Sequence, residues 1–182
     1  MKKYKLTKET FTTSNRKCDR TLYRIEALRD FGNVRCGDLG GFIEREDNLS
    51  HEGNCWIYDD AQVFGLAKVS DDARVSDTAE VCGAAKVCGE AKVYGSARVS
   101  GRAEVSGEAE VYGSARVYGS AEVYGDAEVF GSAKVCGDAR VSGMADVCGA
   151  AKVYGYAQVF GLARVSGTAC VDGLAQVFKA EK

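Results

Sequence analysis

The sequence of 182 residues contains no proline and one histidine, whereas it contains 22 glycines and eight cysteines. The lack of proline beside so much glycine is unlike the composition of an ordinary globular chain with many irregular loops. No segment approaches the ~18 consecutive apolar residues of a membrane-spanning helix. The sequence therefore argues against a membrane protein and predicts an unusual, regular architecture.

The sequence also lacks an excess of either charge, because 24 lysines and arginines stand against 26 aspartates and glutamates, for a net charge of −2. A dedicated nucleic-acid-binding protein carries a basic surface, and a DNA mimic carries a strongly acidic one. The composition argues against both classes. The basic first residues lack the apolar run of a secretory signal, so we expect a cytoplasmic protein with reduced thiols.

A six-residue repeat, Ala-x-Val-x-Gly-x, fills two thirds of the chain from Ala61 onward. Twenty units follow one another without an insertion, with alanine always first and valine always third. The fifth residue is glycine except at Asp71, Asp77 and Lys179. Two degenerate units, residues 49–54 and 55–60, precede them. The strict period predicts a repeat architecture.

The spacing within each unit predicts a short β-strand followed by a corner. The alanine and the valine are two residues apart and therefore lie on the same face of a strand, whereas the mostly charged residue between them faces solvent. Glycine then accommodates a tight corner. Strands this short must stack on the next coil, so the sequence predicts an all-β solenoid. Proline is absent because it would remove the N–H groups that join the coils.

The repeat resembles the hexapeptide repeats of left-handed parallel β-helices, in which three units close a triangular coil. The resemblance implies a left-handed parallel β-helix of about seven coils, stacked ~4.8 Å apart. One departure is that the glycine comes two residues after the aliphatic position. We expect a dry core of valine and alanine without space for a ligand.

The first 48 residues lack the repeat and are predicted to cap the solenoid, which occupies residues 49–182. Residues 3–13 and 21–28 have the pattern of two strands around a polar turn at residues 14–20. A cap is needed because the end of a solenoid exposes unpaired strand edges. The charged end, residues 178–182, either blunts the last edge or leaves it free to pair.

The junction between the cap and the repeats indicates which group of hexapeptide-repeat proteins the chain resembles. Residues 37–44 read Gly-Asp-Leu-Gly-Gly-Phe-Ile-Glu, residues 47–50 read Asp-Asn-Leu-Ser, and residues 53–59 read Gly-Asn-Cys-Trp-Ile-Tyr-Asp. This arrangement resembles the YdcK-type hexapeptide-repeat proteins of bacteria and prophages. That family is described as transferases or as polymer-forming proteins.

An acyltransferase of this fold needs a general base, usually histidine, and loops that project from the coils. The regular repeats contain no insertion, and His51 occupies the valine position of a degenerate unit. We expect His51 to pack inward or to hydrogen-bond the cap, and we expect no enzyme. The sequence contains no CxxC pair for zinc, and neither a metal nor a cofactor is predicted.

The outer surface offers the candidate interaction residues, because every third unit lies on the same face. The first face carries a basic column and the third face an acidic one, and exposed aromatic residues accompany both, as is typical of interfaces. The basic column is Arg98, Arg116, Lys134 and Lys152; the acidic column is Glu110, Glu128 and Asp146; the aromatic residues are Tyr94, Tyr112 and Phe130 on the third face and Tyr118 and Tyr154 on the first.

Like charges stacked in a column are unfavourable within one chain, so an opposite surface is expected to neutralise them. We therefore predict a non-enzymatic structural or interaction protein that self-associates, with a cyclic trimer favoured. The alternative is that these are solvated faces without a partner. Two other functions stay open: a prophage-encoded binding protein or inhibitor that acts on a host protein, and an acyltransferase-like enzyme.

Overall fold

The computed structural model describes residues 2–15 and 18–180, and these are all β apart from one turn of 3-10 helix, Glu46–Asn48. Strands β1 (Tyr4–Asn15) and β2 (Cys18–Ala27) pair antiparallel, as predicted for the cap. The centre of the predicted turn, residues 16 and 17, lies outside the described residues. So do the last two residues of the charged end.

Strand β3 (Leu39–Ile43) joins the cap to the solenoid. It pairs antiparallel with β2 on one side and parallel with the strand Gln62–Val63 on the other. One sheet therefore runs without a break from the hairpin into the stacked coils, and it covers the strand edge at this end of the solenoid.

Three sheets form the sides of the solenoid, and each contains one short strand from every coil. The first sheet contains β3, Gln62–Val63, Glu80–Val81, Arg98–Val99, Arg116–Val117, Lys134–Val135, Lys152–Val153 and Cys170–Val171. The second contains Lys68–Val69, Lys86–Val87, Glu104–Val105, Glu122–Val123, Arg140–Val141, Gln158–Gly161 and Gln176–Lys179. The third contains Trp56–Ile57, Arg74–Val75, Lys92–Val93, Glu110–Val111, Glu128–Val129, Asp146–Val147 and Arg164–Val165.

Each repeat strand except the last of each sheet pairs in parallel with the strand 18 residues later, which confirms the three-sided coil. Backbone bonds such as Arg116 N–H to Ala133 O and Tyr118 N–H to Val135 O, both 2.9 Å, join successive coils. The solenoid has about eight turns rather than the expected seven. The additional turn arises because β3, Leu49 and Trp56–Ile57 pair with the first regular coils and complete one coil ahead of them.

The core is a column of repeat alanines and valines. From Ala61 to Val165, each of these residues exposes at most 4% of its surface. Trp56 and Ile57, in the degenerate unit before the repeats, are also buried and pack against Tyr4 and Ile25 of the cap. The cap and the solenoid therefore share one hydrophobic core. No helix among the described residues is long and apolar enough to cross a membrane.

The backbone geometry at the corners explains why the fifth residue of the repeat is almost always glycine. At Gly119 the backbone has a φ of 80°, and an added Cβ would lie 2.8 Å from the backbone N of Gly137 in the next coil. Glycine fits both constraints. Asp71 adopts the same left-handed conformation, with φ 60°, and its carboxylate accepts a hydrogen bond from Gly89 N–H at 3.0 Å.

Candidate functional site

An open groove of about 630 Å³ lies where the 3-10 helix meets the first strands of the second sheet. It brings together acidic, basic, hydroxyl and thiol side chains that are far apart in the sequence. Its polar lining residues are Glu46, Asp47, Ser50, His51, Lys68, Ser70, Asp71, Lys86, Cys88 and Glu104. This is the one place among the described residues where the single histidine of the chain meets other reactive groups.

The hydrogen bonds of His51 determine its chemistry. Its Nδ1 accepts a hydrogen bond from the backbone N–H of Lys3 at 3.2 Å, and its ring stacks on Tyr4 with centroids 4.5 Å apart. Neutral imidazole has one donor and one acceptor nitrogen, so the proton of neutral His51 is on Nε2. Burial lowers the pKa of His51, which favours this neutral form. The expectation that His51 hydrogen-bonds the cap is confirmed.

The Nε2 atom of His51 lies 4.0 Å from Oε2 of Glu46. Both residues line the groove, and the Glu46 carboxylate also accepts two hydrogen bonds from Lys2 Nζ, at 2.6 and 2.8 Å. An N–H donor and a carboxylate acceptor therefore stand side by side on one wall. An acceptor hydroxyl or amine that reaches this point meets both a donor and a base.

Lys3 holds His51 through its backbone N–H, and this role was not predicted from the sequence. The side chain is fully buried, and its Nζ donates to Cys55 O at 2.9 Å and to Cys55 Sγ at 3.2 Å. Burial lowers the pKa of Lys3 and raises the pKa of the Cys55 thiol. In the sequence Lys3 is one of three lysines in the first five residues, and nothing in that pattern distinguishes it.

The predicted basic residues form one row on the first sheet. Arg98 is paired in register with Arg116, Arg116 with Lys134, and Lys134 with Lys152. Arg98 also forms an ion pair with Glu80 at 2.7 Å. Within the described ranges, Arg116, Lys134 and Lys152 form no ion pair closer than 4.0 Å, so three stacked cations face solvent without a counter-charge.

The predicted acidic residues form a row on the third sheet, but two of the three have partners in the chain. Glu110 forms an ion pair with Lys92 at 2.7 Å and accepts a hydrogen bond from the Tyr94 hydroxyl at 2.9 Å. Glu128 accepts a hydrogen bond from the Tyr112 hydroxyl at 2.9 Å. Asp146 follows Glu128 in the same row. One residue of the acidic row, Glu110, is therefore ion-paired within its own chain, as Arg98 is in the basic row.

The aromatic residues behave differently on the two faces. Tyr94, Tyr112 and Phe130 stack with centroids 4.8 and 4.9 Å apart and planes within 3° of parallel. Burial and the hydrogen bond to Glu128 raise the pKa of Tyr112 to about 12. Tyr118 and Tyr154 lie two coils apart on the first sheet and are exposed by 40% and 36%. The structure therefore stacks the three rings of the third face and separates the two of the first.

No group of three or more His, Cys, Asp or Glu side chains arranged to hold a metal ion occurs within residues 2–15 and 18–180. The free cysteines in these ranges include Cys36 in the cap, buried Cys55 and Cys148, and Cys82, Cys88, Cys136 and Cys170 along the coils. The groove at His51 offers proton donors and acceptors from the side chains that line it.

Part of the chain is similar in sequence to a known bacterial protein. No family model matches the chain. An alignment over 75 positions, which covers 38% of the chain, is 43% identical to the Escherichia coli K12 protein described as "Uncharacterized acetyltransferase YdcK" and covers 23% of that protein. The relative's description points to an enzyme, so the expectation of a protein without enzymatic activity is wrong. Together with the stacked parallel strands, this likeness fits a hexapeptide-repeat β-helix protein, as the repeats and the junction predicted.

Proposed function

We propose that the chain transfers an acetyl group and that the groove beside His51 is where donor and acceptor meet. The observation that carries the proposal is the pairing of the His51 Nε2–H donor with the Glu46 carboxylate, 4.0 Å apart on the groove wall. The acetyltransferase description of the E. coli relative supports the reaction class.

The spacing of these two groups suits an acceptor hydroxyl or amine. An atom placed about 2.8 Å from both Nε2 and Oε2 would see them at an angle of about 90°, within the range of bent hydrogen-bond pairs. The acceptor then receives a hydrogen bond from His51 and donates its own proton to Glu46. Because Nδ1 of His51 is engaged by Lys3 N–H, Glu46 rather than His51 is the general base.

The reaction step follows from this assignment. The acceptor atom forms a bond to the carbonyl carbon of an acetyl thioester, its proton passes to the Glu46 carboxylate, and the carbon–sulfur bond breaks to release a thiolate. Lys68 and Lys86 are paired in register on the second sheet and line the groove, so they supply positive charge for an anionic donor.

The test uses acetyl-coenzyme A labelled in the acetyl group and a small-molecule extract of bacterial cells as the source of acceptors. We expect label transfer by the wild-type protein and a loss of about 100-fold or more in Glu46→Gln, the typical contribution of a general base. His51→Ala should lose about tenfold. Lys8→Ala, an exposed change on β1, is the control. No transfer by the folded wild-type protein, or equal rates in Glu46→Gln, overturns the proposal.

A second candidate function is self-association into a cyclic trimer. It is supported by the row of Arg116, Lys134 and Lys152, which are stacked in register and have no ion-pair partner in the described part of the chain. Their mutual repulsion in adjacent strands is relieved if an acidic surface of another copy covers them. Asp146 and Glu128 on the third sheet provide such a surface.

A further inference from the structure

The stacked rings of the third face belong to a longer row of aromatic side chains, in which one position has no ring. The fourth residues of successive units on this face are Tyr58, Ser76, Tyr94, Tyr112 and Phe130. The last three rings stack 4.8 and 4.9 Å apart, one ring for each coil. Ser76 interrupts the row, so Tyr58 and Tyr94 are two coils, or about 9.6 Å, apart. That separation equals two ring spacings and leaves space for one additional ring.

The structure contains an open groove at Ser76, between Tyr58 and Tyr94. The groove, of about 350 Å³, is lined by both flanking rings and by Ser76 between them. Arg74 and Lys92 contribute the cationic part of the lining, and Asn33 and Asp59 complete it. A flat ring inserted over Ser76 would therefore lie between Tyr58 and Tyr94, and offset stacking is the arrangement that aromatic pairs favour.

The neighbouring rings show where the outer end of an inserted ring would lie. The Tyr94 hydroxyl reaches the carboxylate 16 residues later, Glu110, and the Tyr112 hydroxyl reaches Glu128, also 16 residues later. The residue 16 positions after Ser76 is Lys92. Lys92 thus has the same place relative to Ser76 as Glu110 has to Tyr94 and Glu128 to Tyr112, and it lines the groove.

The lining of this groove, which we call the slot, carries two cations, Arg74 and Lys92, and one carboxylate, Asp59. Arg74 is exposed and forms no ion pair closer than 4.0 Å in the described chain. The Asp59 carboxylate accepts a hydrogen bond from Asp77 N–H at 3.1 Å, and Lys92 is shared with Glu110 at 2.7 Å. Arg74 thus has no ion-pair partner of its own in the described chain, and Asp59, the one carboxylate of the lining, is held by the Asp77 N–H.

We propose that this slot binds a small planar aromatic carboxylate, with its ring between Tyr58 and Tyr94 and its carboxylate on Lys92 and Arg74. The ring supplies the missing member of the row, and the carboxylate supplies the charge that complements the two cations. The slot is on the third sheet, whereas the groove beside His51 adjoins the second, so the two proposals are independent.

The test is a titration of the isotope-labelled protein with benzoate, followed through the backbone amide signals in NMR spectra. We expect saturable shifts confined to the neighbourhood of residues 58, 76 and 94, with a millimolar or tighter dissociation constant. Benzamide, which has the same shape without the charge, should bind at least fivefold more weakly. Lys92→Gln should weaken benzoate binding by about fivefold to tenfold.

Two substitutions distinguish the slot from general binding to exposed rings. Ser76→Tyr places a ring in the gap and should abolish binding while raising the unfolding temperature. Ser142→Tyr is the matched control, because Ser142 lies between Tyr124 and Phe160 on the second sheet and its counterpart 16 residues later is Gln158 rather than lysine. Equal affinity for benzamide, unchanged affinity in Lys92→Gln, or benzoate binding that survives in Ser76→Tyr overturns the proposal.

Discussion

The Asp77 carboxylate accepts a hydrogen bond from the backbone N–H of Gly95, one coil later, at 2.7 Å. Asp77 stands where almost every other unit has glycine, and its φ of 60° lies in the left-handed region that costs a side-chain-bearing residue about 1–2 kcal/mol. The hydrogen bond offsets part of that cost. Two residue types therefore fit a corner of this solenoid: glycine, or an aspartate whose carboxylate accepts a hydrogen bond from the corner residue one coil later.

This relationship predicts that aspartate replaces a corner glycine better than alanine does. At Gly119 alanine should cost about 2–3 kcal/mol, because φ is 80° and the new Cβ would lie 2.8 Å from Gly137 N. Gly119→Asp should cost about 1 kcal/mol less, the net contribution of one hydrogen bond. Urea unfolding of both variants measures the difference.

Gly173 provides the matched control for this experiment. Its φ is 62°, but an added Cβ would meet no atom within 4 Å. Gly173→Ala should therefore show the cost of the backbone conformation alone and destabilise less than Gly119→Ala. Equal losses at the two positions would show that contact with the next coil contributes nothing.

The stacked rings of the third face should contribute measurably to stability. Tyr112 stacks on Tyr94 and Phe130 and donates a hydrogen bond to Glu128. Tyr112→Leu should lower the free energy of unfolding by about 1–2 kcal/mol. Tyr156→Leu, at a corner where the ring is 63% exposed, should change it by less than about 0.5 kcal/mol. Similar values for the two variants in thermal unfolding would contradict a stabilising role for the stack.

Stability should depend on pH through His51. Because burial lowers its pKa in the folded state, the unfolded chain binds a proton more readily. The stabilising contribution is therefore complete above the ordinary histidine pKa of about 6.5 and is lost as the pH falls through that value. The Tm of the wild-type protein should fall more between pH 7.5 and pH 5 than that of His51→Gln, in which glutamine can still accept from Lys3 N–H. Parallel curves for the two proteins would rule out this coupling.

Trimer formation should depend on the unpaired basic row. Light scattering should give about three times the chain mass of 19.4 kDa for the wild-type protein and a lower mass for Arg116→Glu combined with Lys134→Glu. Reversal at Glu110 and Glu128 is less informative, because these carboxylates also hold Lys92, Tyr94 and Tyr112 within the chain. Salt should weaken the association, since the charges are exposed.

The control for this experiment is Lys8→Glu combined with Arg102→Glu, two exposed positions outside the row of Arg116, Lys134 and Lys152. It changes the net charge by the same amount and should leave the mass unchanged. A strict monomer at high protein concentration would overturn the trimer, and dissociation of the control would attribute the effect to net charge rather than to the row.

The sequence by itself determined the solenoid and the contents of its faces. A strict period of six places one alanine and one valine inside each strand, and three units for each coil bring residues 18 apart into register. The rows through Arg116 and Glu128 could therefore be predicted from the sequence alone. Repetition makes this possible, because each coil contacts only its neighbours and the pairing is the same from coil to coil.

Only the tertiary structure decided what happens where the repeat is broken. Buried Lys3 and the His51–Glu46 pair depend on contacts between the cap and the first coil over more than 40 residues, and no period relates those positions. The slot at Ser76 could not be predicted either, because it was inferred from the Tyr94 and Tyr112 hydroxyl groups, which contact residues of the next coil. Side-chain direction and non-local packing determine these features, and both are absent from the hexapeptide pattern.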